Sequence, residues 1–224
     1  MKPLTVYALF TIFFMVSSAT SAEELKPIKL LKPDMEGGRP LMQVLKDRKS
    51  TREYSPEMLT LKDLSNLLWA AWGINRPESG KRTAPSASNR QEIDIYVTIS
   101  EGVYVYDARE HILKPVLAKD IRAVTGTQPW VKNAPVNLVF VADYGRMNNP
   151  SEAVKNFSPV IDTGYISQNV YLYCASEGLS TVARGLVDKP ALAKAMNLRP
   201  DQMVILAQSV GYPPENSQYM DSNK

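Results

Sequence analysis

Apolar residues recur at helical spacing twice in the first third of the chain. Leu41, Val44 and Leu45 share a face that runs up to Arg48, with Pro40 suited to a first helical position. Leu61, Leu64, Leu67, Leu68, Ala71 and Trp72 form a longer stripe, with Thr60 as its N-cap and Gly73 as its stop. Ser55-Pro56 breaks the pattern between the two. The period then shortens to that of strands. Ile93–Ile99, Val103–Tyr106 and Ile112–Val116 read as a three-strand meander, with turns at Ser100-Glu101-Gly102 and from Asp107 to Glu110 that favour antiparallel pairing. Val136 to Val141 and Met203 to Gln208 are continuous apolar runs, as expected of central strands buried on both faces. A helix or two is expected between Leu117 and Trp130. Ser158-Pro159 introduces the longest helix, Val160 to Glu177, whose apolar residues cover more than one face. Such a helix is buried on several sides, at a domain centre or between subunits. Gly178 is free to take the left-handed cap, and Asp188 to Met196 reads as a last amphipathic helix.

The start of the chain has a different pattern. Lys2 precedes an apolar run from Leu4 to Val16, followed by Ser17-Ser18-Ala19-Thr20-Ser21-Ala22, the layout of a secretory signal peptide cleaved after Ala22. An uncleaved anchor is the alternative, but thirteen residues fall short of the roughly 20 that a spanning helix needs. Residues 23–39 then form an extended lead-in broken by Pro27, Pro33 and Gly37-Gly38. Residues 40–213 form one domain, without an internal repeat or linker, and 214–224 a polar tail. The expected location is outside the cytoplasm, periplasmic or secreted, with no membrane span left after cleavage.

Composition narrows the chemistry. The 224 residues are 44% hydrophobic and 22% charged with a net charge of +3, ordinary globular values. No Lys/Arg tract with interleaved aromatics marks a nucleic-acid binder. Cys174 and His111 are the only residues of their types, so an internal disulfide and a Cys/His zinc site lack material, and a Ser-His-Asp triad would have to use His111, in a polar turn. His111 reads as an exposed turn residue and Cys174 as packed core.

Two polar stretches carry candidate chemistry. Arg48-Lys49-Ser50-Thr51-Arg52 places three cations and two hydroxyls in five residues. On a helical turn Arg48 and Arg52 share a face, and their guanidinium forks converge on one dianion such as a phosphate. The alternative is a solvated basic turn. From Asn75 to Gln91 the chain is a long polar loop with Arg82-Thr83-Ala84-Pro85-Ser86-Ala87-Ser88-Asn89 at its centre. Long loops in compact domains tend to bind something, and small residues let the backbone approach a ligand. A plain surface loop is the other reading.

Taken together, these pieces resemble the nitroreductase family of FMN-dependent oxidoreductases over about Pro40 to Pro213. Arg48-Lys49-Ser50-Thr51-Arg52 looks like that family's Arg-x-Ser-x-Arg element for the FMN phosphate and ribityl chain. Pro85-Ser86-Ala87-Ser88-Asn89 is similar to its loop beside the isoalloxazine ring. Glu177-Gly178-Leu179 matches the turn after its central helix, where backbone N–H groups face flavin N5. Leu68 to Arg76, Arg82 to Ala87 and Gly102 to Asp107 look most like the branch that includes peptide azoline dehydrogenases.

The resemblance implies an α+β fold, a mostly antiparallel sheet flanked by helices, and an intertwined homodimer with FMN sites at the interface. It implies a reaction carried by flavin N5, with no protein residue needed as nucleophile or base and no metal. The substrate would be a small electrophile (a nitro compound or a quinone) or a modified peptide. Two features depart from the family. Its usual basic pair near the C-terminus is reduced to Lys224, so that contribution to the phosphate site is either absent or supplied by Arg184 or Lys189. NAD(P)H, the usual donor, has no obvious supply outside the cytoplasm, which leaves a donor protein, a quinone or the substrate itself. A flavin- or small-molecule-binding module without turnover, and a purely structural exported protein, are the competing readings.

Overall fold

The structure, a computed structural model, describes residues 24–215. The expected signal peptide and the end of the polar tail lie outside the described residues. In chain order the elements are β1 (Ile28–Lys29), α1 (Leu41–Asp47), α2 (Leu61–Trp72), β2 (Ile74–Arg76), β3 (Lys81–Arg82), β4 (Ile93–Ile99) and β5 (Gly102–Asp107). Then follow β6 (Ile112–Leu117), β7 (Val136–Asp143), α3 (Glu152–Glu177), β8 (Ser180–Arg184), α4 (Lys189–Ala195) and β9 (Gln202–Gly211).

Among the described residues, seven strands form one sheet in the order β1-β6-β5-β4-β7-β9-β8, every neighbouring pair antiparallel. β2 and β3 make a separate small hairpin. The expected α+β fold, a mostly antiparallel sheet flanked by helices, is therefore present. The register explains the unbroken apolar runs. Val136, Leu138, Phe140 and Ala142 of β7 face α2 and α3, while Val139 and Val141 face α4 on the other side. All eight residues of β7 are buried for this reason. β4 divides in the same way, Ile93, Ile95 and Val97 toward α2 and α3 and Tyr96 toward α4.

Helix α2 forms as its pattern predicts. The Thr60 hydroxyl accepts from Asp63 N–H at 3.1 Å, and the stripe from Leu64 to Trp72 is buried. α3 is longer than expected. It starts at Glu152, capped by Ser151, and runs through Pro159. The proline forgoes one ladder bond, but its own ring is buried, and that packing keeps the helix continuous although Phe157 and Val160 beside it are exposed. At 26 residues it is about 39 Å long. The stretch between Leu117 and Trp130 holds only a 3₁₀ turn at Arg122–Val124, not an α-helix.

His111 is not a free turn residue. It takes φ of 50° and is half-buried. Its Nε2 is 2.9 Å from the Leu31 carbonyl and its Nδ1 2.9 Å from the Tyr106 hydroxyl. A carbonyl only accepts, so Nε2 carries the proton and Nδ1 accepts from Tyr106. This bond, with Leu31 N–H on Ser65 Oγ at 2.9 Å, ties the lead-in to the domain.

Candidate functional site

Helix α1 ends at Asp47, and Arg48 leaves it with φ −57° and ψ 116°. The helical turn expected over Arg48 to Arg52 is replaced by a strand-like run along β8. The reason lies outside the segment, because β8 is an edge strand with backbone groups to satisfy. Thr51 N–H donates to the Thr181 carbonyl at 2.9 Å, and Thr181 N–H to Thr51 Oγ1 at 2.9 Å. Arg48, Lys49, Thr51 and Arg52 line one cavity, and Ser50 turns to α3 instead. Ser50 Oγ lies 2.9 Å from the Tyr171 hydroxyl on α3, and the Arg48 guanidinium stacks 5.3 Å from the Tyr171 ring centre.

This segment forms one wall of a cavity of about 1170 Å³, which Arg48, Lys49 and Arg52 share with Gly178, Leu179 and Thr181. Gly178 takes φ of 71° as the left-handed cap of α3. The Gly178 and Leu179 amides both donate to the Cys174 carbonyl, so the backbone donors expected to face a ligand here are engaged in the cap. The Glu177 carboxylate is exposed and accepts from Ser176 Oγ at 2.9 Å. Cys174 is buried beneath, and burial pushes its thiol well above the ordinary range, as expected of core rather than a nucleophile.

The Pro85–Asn89 loop lies elsewhere. Ala87–Asn89 is a 3₁₀ turn in which Ser88 and Asn89 take φ of 54° and 53°, and Gln91 follows at 52°. Left-handed residues other than glycine persist only where their surroundings hold them. Gln91 does much of the holding. Its N–H donates to Ser86 Oγ at 3.1 Å, and its side-chain amide donates to Asn89 Oδ1 at 3.1 Å and to the Gly80 carbonyl at 3.0 Å. Its Oε1 accepts from Arg82 Nε at 2.7 Å. Arg82 lies over the Trp72 ring and donates to the Trp72 carbonyl at 2.7 Å, and burial lowers its pKa to about 10. Ser86 and Asn89 therefore use polar atoms inside the loop, while Pro85, Ser88 and Asn89 remain exposed. Ala87 N–H donates to Asp162 Oδ2 at 2.9 Å, pinning the loop to the middle of α3.

From Asp162 to Gly178 is sixteen residues of helix, about 24 Å. One chain thus brings the basic segment and the Glu177–Leu179 turn together, and holds the Pro85–Asn89 loop apart from both. Neither proposed completing residue joins the pocket. Arg184 is buried, donating to the Thr125 carbonyl at 2.6 Å and to Asn137 Oδ1 at 2.8 Å, with burial lowering its pKa to about 10. Lys189 opens α4, whose Leu192 packs on the sheet face opposite α3. Sequence reasoning missed Tyr171, Gln91 and Asp162. Only Gln91, next to the loop, offered a local signal.

The cavity fits a phosphate-bearing cofactor on two counts. Its volume suits a ligand larger than an ordinary metabolite, and its cationic wall supplies fixed donors for an anionic end. The antiparallel sheet, the long helix and this basic pocket at its end define an α+β domain with a cleft suited to an anionic ligand. A family model described as Nitroreductase family matches residues 45–212, and the chain belongs to that family. A Methanocaldococcus jannaschii protein named as a nitroreductase is 35% identical over 164 residues, 68% of this chain and 81% of that one. The FMN reductase [NAD(P)H] of Bacillus subtilis is 27% identical over 141 residues, 63% of this chain and 47% of its own length. Among solved structures, one from Ralstonia eutropha named as a nitroreductase superposes with a TM-score of 0.82 at 43% identity, covering 87% of this chain and 92% of that one. The Escherichia coli microcin synthetase McbBCD complex with truncated pro-MccB17 shares the fold, with a TM-score of 0.65 at 17% identity over 92% of this chain and 85% of that one.

Proposed function

We propose that this protein binds FMN in the cavity between the 48–52 segment and the Gly178 turn, and uses it to transfer electrons to or from a small electrophile. The observation that carries this reading is the cavity itself, with Arg48, Lys49 and Arg52 on one wall at the end of the long helix. The name of the Bacillus subtilis relative supports FMN as the cofactor and NAD(P)H as one donor. When bound, the flavin supplies the hydride and electron chemistry. Arg48 and Arg52 then neutralise the phosphate, and Tyr171 holds Arg48 and Ser50 in position. Gly178 and Leu179 are the wall nearest the reacting end.

Two copies complete each site in this reading. A row of exposed apolar residues supports it: Phe157, Val160 and Tyr165 on α3, and Leu41, Met42 and Leu45 on α1. Pairing along α3 about a two-fold axis gives the Pro85–Asn89 loop of one copy a route to the helix end of the other. That resolves the 24 Å separation, estimated at about 1.5 Å per helical residue.

A nitro compound or a quinone is the substrate class favoured here, with a modified peptide as the second possibility that the microcin synthetase likeness supports. The first 22 residues support export, and in that setting a donor protein, a quinone or the substrate replaces NAD(P)H. Among the described residues no helix is long and apolar enough to cross a membrane.

The test is the absorption spectrum of purified protein, before and after added FMN, followed by reduction and reoxidation with a quinone. Yellow protein that cycles is expected. Colourless protein that refuses FMN would falsify the reading, and flavin inert to every donor and acceptor would leave a binding module. Cell fractionation with N-terminal sequencing checks export, with Glu23 expected first.

A further inference from the structure

Two carboxyl groups are buried where the Pro85–Asn89 loop meets the helix. Glu92, next to β4, is 0% exposed, and neither of its side-chain oxygens has a hydrogen-bond partner. Asp162, on the inner face of α3, is 2% exposed and faces it. One oxygen of Asp162 accepts from Ala87 N–H at 2.9 Å, the bond that pins the loop to α3. An ionised carboxylate is an acceptor only, so two facing carboxylates repel and satisfy nothing. A proton on Glu92 turns one of its oxygens into a donor and closes the pair as a charge-assisted O–H···O⁻ bond.

We propose that Glu92 is a positioning residue: as the neutral acid it donates to Asp162, the closed carboxyl pair holds the Pro85–Asn89 loop on α3, and loss of that proton to solvent loosens the loop.

The surroundings agree. Burial, and then the Asp162 carboxylate, raise the pKa of Glu92 to about 7, with its own amide and Arg90 pulling the other way. The other cations near this corner have partners. Arg82 is bonded to Gln91 Oε1 and the Trp72 carbonyl, and Arg146 to Asp94, Asp143 and the Gln91 carbonyl. The folded-state value lies above the ordinary 4.5. The stabilisation is therefore fully present below that value and is lost as pH rises through about 7. The loop is also the segment with Ser88, Asn89 and Gln91 at left-handed φ, so it has strain to release when its anchor weakens.

The experiment needs no flavin, so its outcome is separate from the FMN reading. Hydrogen exchange of peptides spanning 85–91 is followed in the full-length protein and in Glu92→Gln, at pH near 5.5 and 8.5. Comparing the two proteins at one pH cancels the intrinsic rate. The glutamine keeps a donor toward Asp162 and does not ionise. The two loops should exchange alike at the lower pH, and the wild-type loop about tenfold faster than the variant's at the higher. Equal rates at both values overturn the proposal. So does an infrared difference spectrum, wild type minus Glu92→Gln near pH 5.5, without a protonated-carboxyl band. Should that variant not fold, Asp162→Asn serves in its place, because its side chain can accept from Ala87 and donate to Glu92. It should abolish the pH-dependence, and a pH-dependence that persists there overturns the proposal as well.

Discussion

Thr51 and Thr181, 130 residues apart, exchange two hydrogen bonds of 2.9 Å, one through backbone alone and one onto the Thr51 hydroxyl. The pair docks the basic segment on the edge of the sheet, and with it the cationic wall of the cavity. Thr51→Val keeps the shape and removes the acceptor for Thr181 N–H. It should cost about 1–2 kcal/mol of stability and weaken FMN binding. Urea unfolding and flavin titration measure the two effects, and unaltered binding would show that other contacts position the segment.

Arg52 is exposed, so Arg52→Ala should leave apoprotein stability unchanged while weakening FMN retention about ten- to hundredfold, more at low salt than at high salt. Arg48→Ala should do the same and also lose the stacking on Tyr171. Retention is read by gel filtration followed by absorbance. Identical retention in wild type and Arg52→Ala returns the cluster to a solvated turn.

Val160 is 52% exposed in one chain although it sits mid-helix among apolar neighbours. Val160→Arg should convert a dimer to a folded monomer with impaired flavin binding, seen by sedimentation and circular dichroism. A dimer that survives the substitution would place the interface elsewhere.

Arg184 has no carboxylate among its hydrogen-bond partners and relies on the Thr125 carbonyl and Asn137. Arg184→Met relieves the desolvated charge but orphans the Thr125 carbonyl, while Asn137 Oδ1 keeps its bond from the Ser209 hydroxyl. The second effect dominates, and a loss of about 1–3 kcal/mol in urea unfolding is expected. Flavin affinity measured on the folded fraction should not change, because the guanidinium does not reach the cavity.

His111 has its pKa lowered by burial from the ordinary 6.5, with the Leu31 carbonyl opposing. A histidine held neutral contributes stability that is present above 6.5 and is lost as pH falls below it. The thermal midpoint of wild type should therefore drop relative to His111→Asn on acidification. Asparagine suits the positive φ at this position. Parallel curves would mean the imidazole does not titrate between folded and unfolded states.

The elements that were legible in the sequence are those whose signals are local. The α2 stripe from Leu64 to Trp72, the meander from Ile93 to Leu117 and the buried β7 run follow from side-chain periodicity and turn residues within a few positions. Gly178 as a left-handed cap is equally local. The first eight residues of α3 were not legible, because Pro159 argues for a helix start and only packing overrides it.

The basic residues of the 48–52 segment, the small residues of the 85–89 loop and the Gly178 turn were all marked by their types, which is why the chain resembles its family so plainly. What the types do not carry is geometry. Arg48 to Arg52 runs extended rather than helical because an edge strand 130 residues away offers it partners, at Thr181. Arg184 is held inside the protein and Glu92 faces Asp162 because distant elements close over them, and nothing beside them in the chain signals burial. Side-chain chemistry and local period are properties of the sequence alone. Which charges are desolvated, and which groups meet, depends on long-range pairing that only the folded chain decides.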